Sequence, residues 1–254
     1  MSRARRIQIL GGVIVVAVVG AIAAAVLGHS SGKSPGKAAT TLATTSATKT
    51  GTTTPTTTSS TPVNGPAAIA AMFAGIPQHG DTLGKADAPV TMVVFEDPQC
   101  PYCAEWNLGT LPTVLTQFVR TGKIKLVYRG ILIIGSNSAA GLRAVVGAGA
   151  QNKLWNMNEA LYANQGKENS GWITSNLVLA LAADLGIDGK QLVKDANSKA
   201  TTRALGAAAT EATKDKVQGT PSFEIINPPA VPTELHETSL APAGFVQALT
   251  AAIG

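Results

Sequence analysis

Two cysteines, Cys100 and Cys103, stand two residues apart in the frame Val93-Val94-Phe95-Glu96-Asp97-Pro98-Gln99-Cys100-Pro101-Tyr102-Cys103. They are the chain's only cysteines. The apolar, β-branched run before them reads as a strand, and the residues from Pro101 onward read as a helix. This frame constrains the fold more than any other feature, because it requires a strand to hand directly into a helix at a reactive pair. The first thiol then sits at a helix N-terminus, where backbone N–H groups and the helix dipole favour a thiolate. The second lies one turn deeper, within reach of a small disulfide ring. Such a pair points to thiol–disulfide exchange. A structural disulfide closing so short a loop would remove little unfolded-state entropy. A structural zinc site needs four ligands, and His29, His79 and His236 are scattered. A metal or iron–sulfur centre completed by a partner stays open as an alternative. No cofactor and no metal is expected.

The N-terminal quarter reads differently. Residues 1–6 carry Arg3, Arg5 and Arg6, and residues 7–28 hold an uncharged apolar run from Ile9 to Leu27. As a helix that run spans roughly 28 Å, close to the thickness of a bilayer core. The arginines favour a cytoplasmic N-terminus, with the rest of the chain outside. The expectation is a single-pass membrane anchor. The alternative is a cleaved signal peptide, with Ala23-Ala24-Ala25 as the cleavage site and a secreted product. Residues 29–65 are rich in Ser and Thr and poor in apolar side chains. They are expected to be a disordered linker that gives the following domain reach. Gly28-His29-Ser30-Ser31-Gly32 matches a hydrolase nucleophile motif, but that motif needs a strand before it and a helix after it, whereas a membrane helix is expected before and a disordered linker after, and it is taken as coincidence.

The net charge of +5 belongs to this N-terminal part. Six of the twenty basic residues precede residue 66, and all fifteen acidic residues follow it. The remainder therefore carries a net charge of −1, which argues against a nucleic-acid partner.

Residues 66–254 are expected to form one α/β domain. Pro89 to Phe95 and Lys123 to Arg129 read as strands, joined by a helix that Pro112 kinks. A helical insertion over about 136–216 follows. Its apolar stripes, Leu142-Val145-Val146-Ala150 and Leu154-Met157-Leu161-Tyr162, read as core. Thr174 and Asp188 start helices within it, Gly186 closes one, and Ala200 to Val217 is the last. Strands return at Ser222 to Ile226 and at Thr233 to Glu237, and a helix from Ala241 to Ala252 ends the chain. Gly219-Thr220-Pro221 precedes the first of these strands. On residues alone, Pro221 is either an ordinary loop proline or a cis proline in a tight turn.

Taken together, these segments resemble the DsbA-like extracytoplasmic thiol oxidoreductases of the thioredoxin superfamily. The resemblance covers about residues 82–254. It rests on Leu83-Gly84-Lys85-Ala86-Asp87-Ala88-Pro89-Val90, the cysteine frame, Leu154-Trp155-Asn156-Met157, Leu161-Tyr162-Ala163-Asn164-Gln165 and Gly219-Thr220-Pro221-Ser222-Phe223. It implies a thioredoxin-like fold with an inserted helical subdomain. Cys100 would be the attacking thiolate and Cys103 the resolving thiol. Pro221 would be a cis proline facing them, Thr220 would offer its backbone to an extended substrate, and Pro101 and Tyr102 would tune the thiolate. Many relatives carry an acid where Val94 stands, so Glu96 or water would have to move the proton of Cys103. Tyr102 replaces the histidine of the most oxidising members, which implies a weaker oxidant. The implied partners are exported proteins with cysteine thiols and a membrane redox partner that recycles the dithiol. The expected activity is disulfide formation in exported proteins. The alternatives are a membrane-anchored reductase or isomerase and a binding module with a static disulfide.

Overall fold

The computed structural model describes residues 65–236 and 239–254. The expected anchor, the linker up to residue 64 and the Gly28–Gly32 motif lie outside the described residues. Among the described residues no helix is long and apolar enough to cross a membrane.

Helix α1 (Pro66–Phe73) opens on proline, which a first helical turn accepts because its N–H would be unpaired there. It buries Ile69 and Phe73. Two-residue strands β1 (Gln78–His79) and β2 (Thr82–Leu83) pair antiparallel. Strand β3 (Val90–Glu96) follows, one residue displaced from its expected span. After the cysteines come α2 (Pro101–Glu105), a π-helical turn Trp106–Thr110, α3 (Leu111–Val114) and a second π turn Leu115–Val119. The kink expected at Pro112 is thus resolved by widening. Pro112 has no N–H to return to Leu108, and the neighbouring Leu111 N–H reaches five residues back to Trp106 O instead. Strand β4 (Ile124–Gly130) alternates buried and half-buried residues, as its sequence pattern predicts.

The helical block comprises α4 (Ser138–Ala148), α5 (Leu154–Ala163), α6 (Ser175–Asp184), α7 (Gly189–Ala196) and α8 (Lys199–Lys214). Thr174 accepts from Leu177 N, Asp188 from Lys190 N and Gln191 N, and Ser198 from Thr201 N. Each cap satisfies amides that the helix itself leaves open. Strands β5 (Ser222–Ile226) and β6 (Thr233–Glu234) and helix α9 (Pro242–Ile253) complete the chain.

Among the described residues six strands form one sheet in the order β1-β2-β4-β3-β5-β6. β3 runs parallel to β4 and antiparallel to β5, so β3 and β4 bracket a parallel crossover. The central strand β3 is buried on both faces. Val90, Met92 and Val94 enter the main core, while Val93 and Phe95 pack with Ala208 and Ala212 of α8 on the other side. In the main core Trp106, Phe223 and Phe245 form an aromatic triangle with centroid separations of 5.0, 5.7 and 4.8 Å. Each such side chain contributes about 1.5–3 kcal/mol by burial. This triangle fixes the post-cysteine helix and β5 against each other.

Candidate active site

The turn that carries Cys100 is clamped by Asp97. Asp97 is fully buried at the end of β3. Its carboxylate accepts from Gln99 N (2.9 Å), Ser138 Oγ (2.5 Å), Ile133 N (2.8 Å) and Ile134 N (2.9 Å). Its backbone carbonyl accepts from Cys100 N (2.9 Å) and from the Tyr162 hydroxyl (3.1 Å). Gln165 Nε2 donates to Pro98 O and Cys100 O at 3.1 and 3.0 Å. The helical block therefore holds the turn from behind. Cys100 becomes the N-cap of α2, with extended backbone, and Cys103 falls one turn inside the helix.

The antiparallel register of β3 with β5 pairs Phe95 with Ser222. This brings Gly219-Thr220-Pro221 beside the cysteines, although some 120 residues of chain intervene. The Thr220–Pro221 peptide is cis. The Cys100 thiol donates to Thr220 O at 3.0 Å. Both cysteines are free thiols. A thiol at a helix N-terminus is expected to be the exposed member of such a pair; instead Cys100 is only 3% exposed and Cys103 is 0%. Thr220 O touches Cys100 Sγ, and Cys103, Ala104 and Tyr162 pack around it. Pro101, at the first helical position, is exposed, and Tyr102 is 63% exposed. Leu132 and Ile133 are exposed on the loop that Asp97 anchors.

The electrostatics divide the pair. The Cys100 pKa is lowered to about 6, chiefly because the Cys103 thiol hydrogen-bonds its thiolate. Burial opposes the shift, and the Thr220 side chain and the N–H groups of Cys103 and Tyr102 add to it. In the present geometry the Thr220 hydroxyl itself makes no hydrogen bond. Helix-end amides thus help, as expected, but rank behind the partner thiol. Burial pushes Cys103 well above the usual thiol range, and its hydrogen bond to Cys100 and the charge of Glu96 push it further.

Glu96 shares a strand face with Val94, because side chains alternate along a strand. An acid at 96 therefore faces the same interior as an acid at 94 would. Glu96 is fully buried. It accepts from Asn107 Nδ2 and, at 2.8 Å, from Asn158 Nδ2. The same Asn107 amide donates to Cys103 O at 2.9 Å. Burial raises the Glu96 pKa to about 8, against the pull of both asparagines.

Every residue singled out in the sequence is found here: Cys100, Pro101, Tyr102, Cys103, Glu96, Thr220 and Pro221. The supporting residues Asp97, Asn107, Asn158, Tyr162 and Gln165 were not singled out for this role. Tyr162 was read as core. Trp155, Asn158, Glu159 and Tyr162 recur at helical spacing on α5, and polar residues within a stripe flanked by Trp and Tyr were the available signal.

The family model described as Thioredoxin matches residues 78–240. A probable disulfide bond formation protein D of Bacillus cereus is 35% identical over 148 residues, covering 57% of this chain and 68% of the relative. Among solved structures, oxidised BdbD from Bacillus subtilis matches with a TM-score of 0.59 at 21% identity, covering 70% of this chain and 96% of that one. DsbA from Chlamydia trachomatis matches with a TM-score of 0.55 at 20% identity, covering 69% and 90%. At these identities the two structures establish likeness of fold. A thioredoxin-like sheet carrying a dithiol at a strand-to-helix turn defines a thiol–disulfide oxidoreductase. The chain belongs to the thioredoxin family, as a DsbA-like thiol:disulfide oxidoreductase.

Proposed function

We propose that this chain forms disulfides in exported proteins, with Cys100 as the exchanging sulfur and Cys103 as its resolving partner. In the oxidised state a substrate thiolate attacks Cys100 Sγ. The Cys100–Cys103 bond breaks, and Cys103 leaves and takes up a proton. A mixed disulfide links the substrate to Cys100. The second substrate thiolate attacks the substrate sulfur of that bond and expels Cys100 as thiolate. Two substrate thiols are oxidised and the pair is reduced. A membrane redox partner then withdraws the two electrons.

The observation that carries this reading is the asymmetry of the pair. Cys100, the sulfur expelled last, is lowered to about 6 and lies 3.0 Å from Thr220 O beside a cis proline. A pair whose expelled thiolate is stabilised favours its reduced form, and so oxidises substrates. Glu96, protonated at neutral pH by its burial, supplies the proton to Cys103 in place of the acid absent at Val94. The Thr220 backbone and Pro221 receive an extended substrate segment, and Pro101 and Tyr102 tune the thiolate. The domain, residues 66–254, would act outside the cytoplasm, tethered by the apolar segment 7–28 and the linker 29–65.

Tyr102 brings no cation, so the reduction potential should fall between about −120 mV and about −270 mV, the values for a strong oxidant and for thioredoxin. Equilibration with glutathione measures it. A potential at or below that of thioredoxin would replace the oxidase with a reductase or isomerase. Tyr102→His should raise the potential; an unchanged value would refute the tuning.

A further inference from the structure

Helix α5 presents Trp155, Asn158, Glu159 and Tyr162 at spacings of three and four, along one stripe. Asn158 bonds Glu96, and Tyr162 bonds the backbone of Asp97. Both contacts land on the end of β3, behind the cysteines. Glu159 lies between them on the same stripe. It is 0% exposed, and neither carboxyl oxygen meets a hydrogen-bond donor among the described residues. An ionised carboxylate in that position is strongly disfavoured.

We propose that Glu159 is a positioning residue that acts through Glu96, the two buried carboxyl groups titrating as a pair that retains a proton for Cys103. This rests on the exchange role of Cys100 and Cys103 given above. Cys103 needs a proton each time it leaves the disulfide, and it returns one when the disulfide reforms. Glu96 stands beside it through their shared contact with Asn107. Ionisation of either glutamate opposes ionisation of the other, so the pair empties in two steps and its last proton leaves at higher pH than that of a single buried acid. The groups acting on the pair are acidic or neutral. They are Cys100 toward Glu96 and Glu96 toward Glu159, and Glu96 in turn raises Cys103, Tyr128 and Tyr162. Among the elements packed on α5, α1 and the π turn Trp106–Thr110 carry no ionisable side chain. α4 offers Arg143 alone, whose guanidinium bonds Ala196 O at 3.1 Å. Asp184 of α6 and Glu105 of α2 are exposed. Burial and the charge of Glu96 raise the Glu159 pKa to about 8, in keeping with a paired acid.

The test is the pH profile of disulfide exchange by the full chain with a reduced model peptide. Glu159→Gln should move the alkaline limb to lower pH by about one unit, a roughly tenfold loss at the alkaline end with little change at pH 6. Glu159→Asp should restore much of the limb. An unchanged profile, or an equal loss at every pH, would overturn the proposal. If Glu159→Gln does not fold, a carbon-13 carboxyl titration of glutamate-labelled wild-type chain decides. Two glutamate resonances that each titrate in the same two steps support the pair, and independent single-step titrations, or Glu159 titrating in the ordinary carboxylate range, overturn it. A wild-type chain that exchanges with the peptide at no pH refutes the oxidoreductase roles of Cys100 and Cys103, and the role of Glu159 falls with them.

Discussion

Cys100 and Cys103 sit one helical turn apart, yet one thiol is drawn down to about 6 and the other is pushed well above its usual value. Hydrogen bonding from the Cys103 thiol is the largest cause of the first shift, and burial is the largest cause of the second. Because the folded Cys100 pKa lies below that of an unfolded thiol, its contribution to the stability of the reduced protein is complete above the unfolded value. That contribution is lost as pH falls through about 6. Alkylation of Cys100 should therefore rise with a midpoint near 6, and at pH 7 it should far exceed that of Cys103, whose thiol stays protonated there. Mass mapping of the modified thiols checks this. Cys103→Ser should accumulate mixed disulfides, and Cys100→Ser should not. The reactive pair was legible because two cysteines at this spacing have few other uses. The contact of Cys100 with Thr220 was not, because it is set by a strand register more than a hundred residues away.

The elements that meet at the cysteine turn do so at close range. Gly141 of α4 lies against Pro98, and a Cβ at 141 would stand 2.8 Å from Pro98 Cγ and 3.0 Å from Ile173 Cδ1. Gly141→Ala should cost about 1–3 kcal/mol by overpacking, read from urea unfolding. It should also slow exchange, because the displaced residue is two positions before Cys100. Elements of ordinary length were readable: β3, β4 and β5 from their β-branched residues, and the later helices from Thr174 and Asp188 as caps. The two-residue strands β1 and β2 were not, since no periodicity exists over two residues. Helix α1 was missed because PAAIAAMF is short and nearly uniform in polarity. The two π turns escaped because proline signals an interruption in a helix without specifying how the backbone absorbs it.

At the scale of the whole chain, charge and composition separate residues 66–254 from what precedes them. Expressed alone, this part should be soluble, cooperative in unfolding and active in disulfide exchange. The full chain should fractionate with membranes. A mature protein beginning near Val26 in the soluble exported fraction would show cleavage instead. Arg129 helps the part stand alone, because it joins Asp81 at 2.6 Å and Glu211 at 2.5 Å and so ties the β1–β2 connection to α8.

The closeness of Cys103 to Cys100 bears on oxidative damage. A thiolate with a pKa near 6 is the kind of sulfur that peroxide converts to sulfenic acid and then, irreversibly, to sulfinic acid. Here the first product would form within reach of Cys103, and the two would condense to a disulfide with loss of water. Peroxide should therefore yield the intact, disulfide-bonded chain by mass spectrometry, whereas Cys103→Ser should gain oxygen at Cys100. Sulfinic acid on the wild-type protein at low peroxide would contradict this. The catalyst's own oxidised state then serves as its refuge from hyperoxidation.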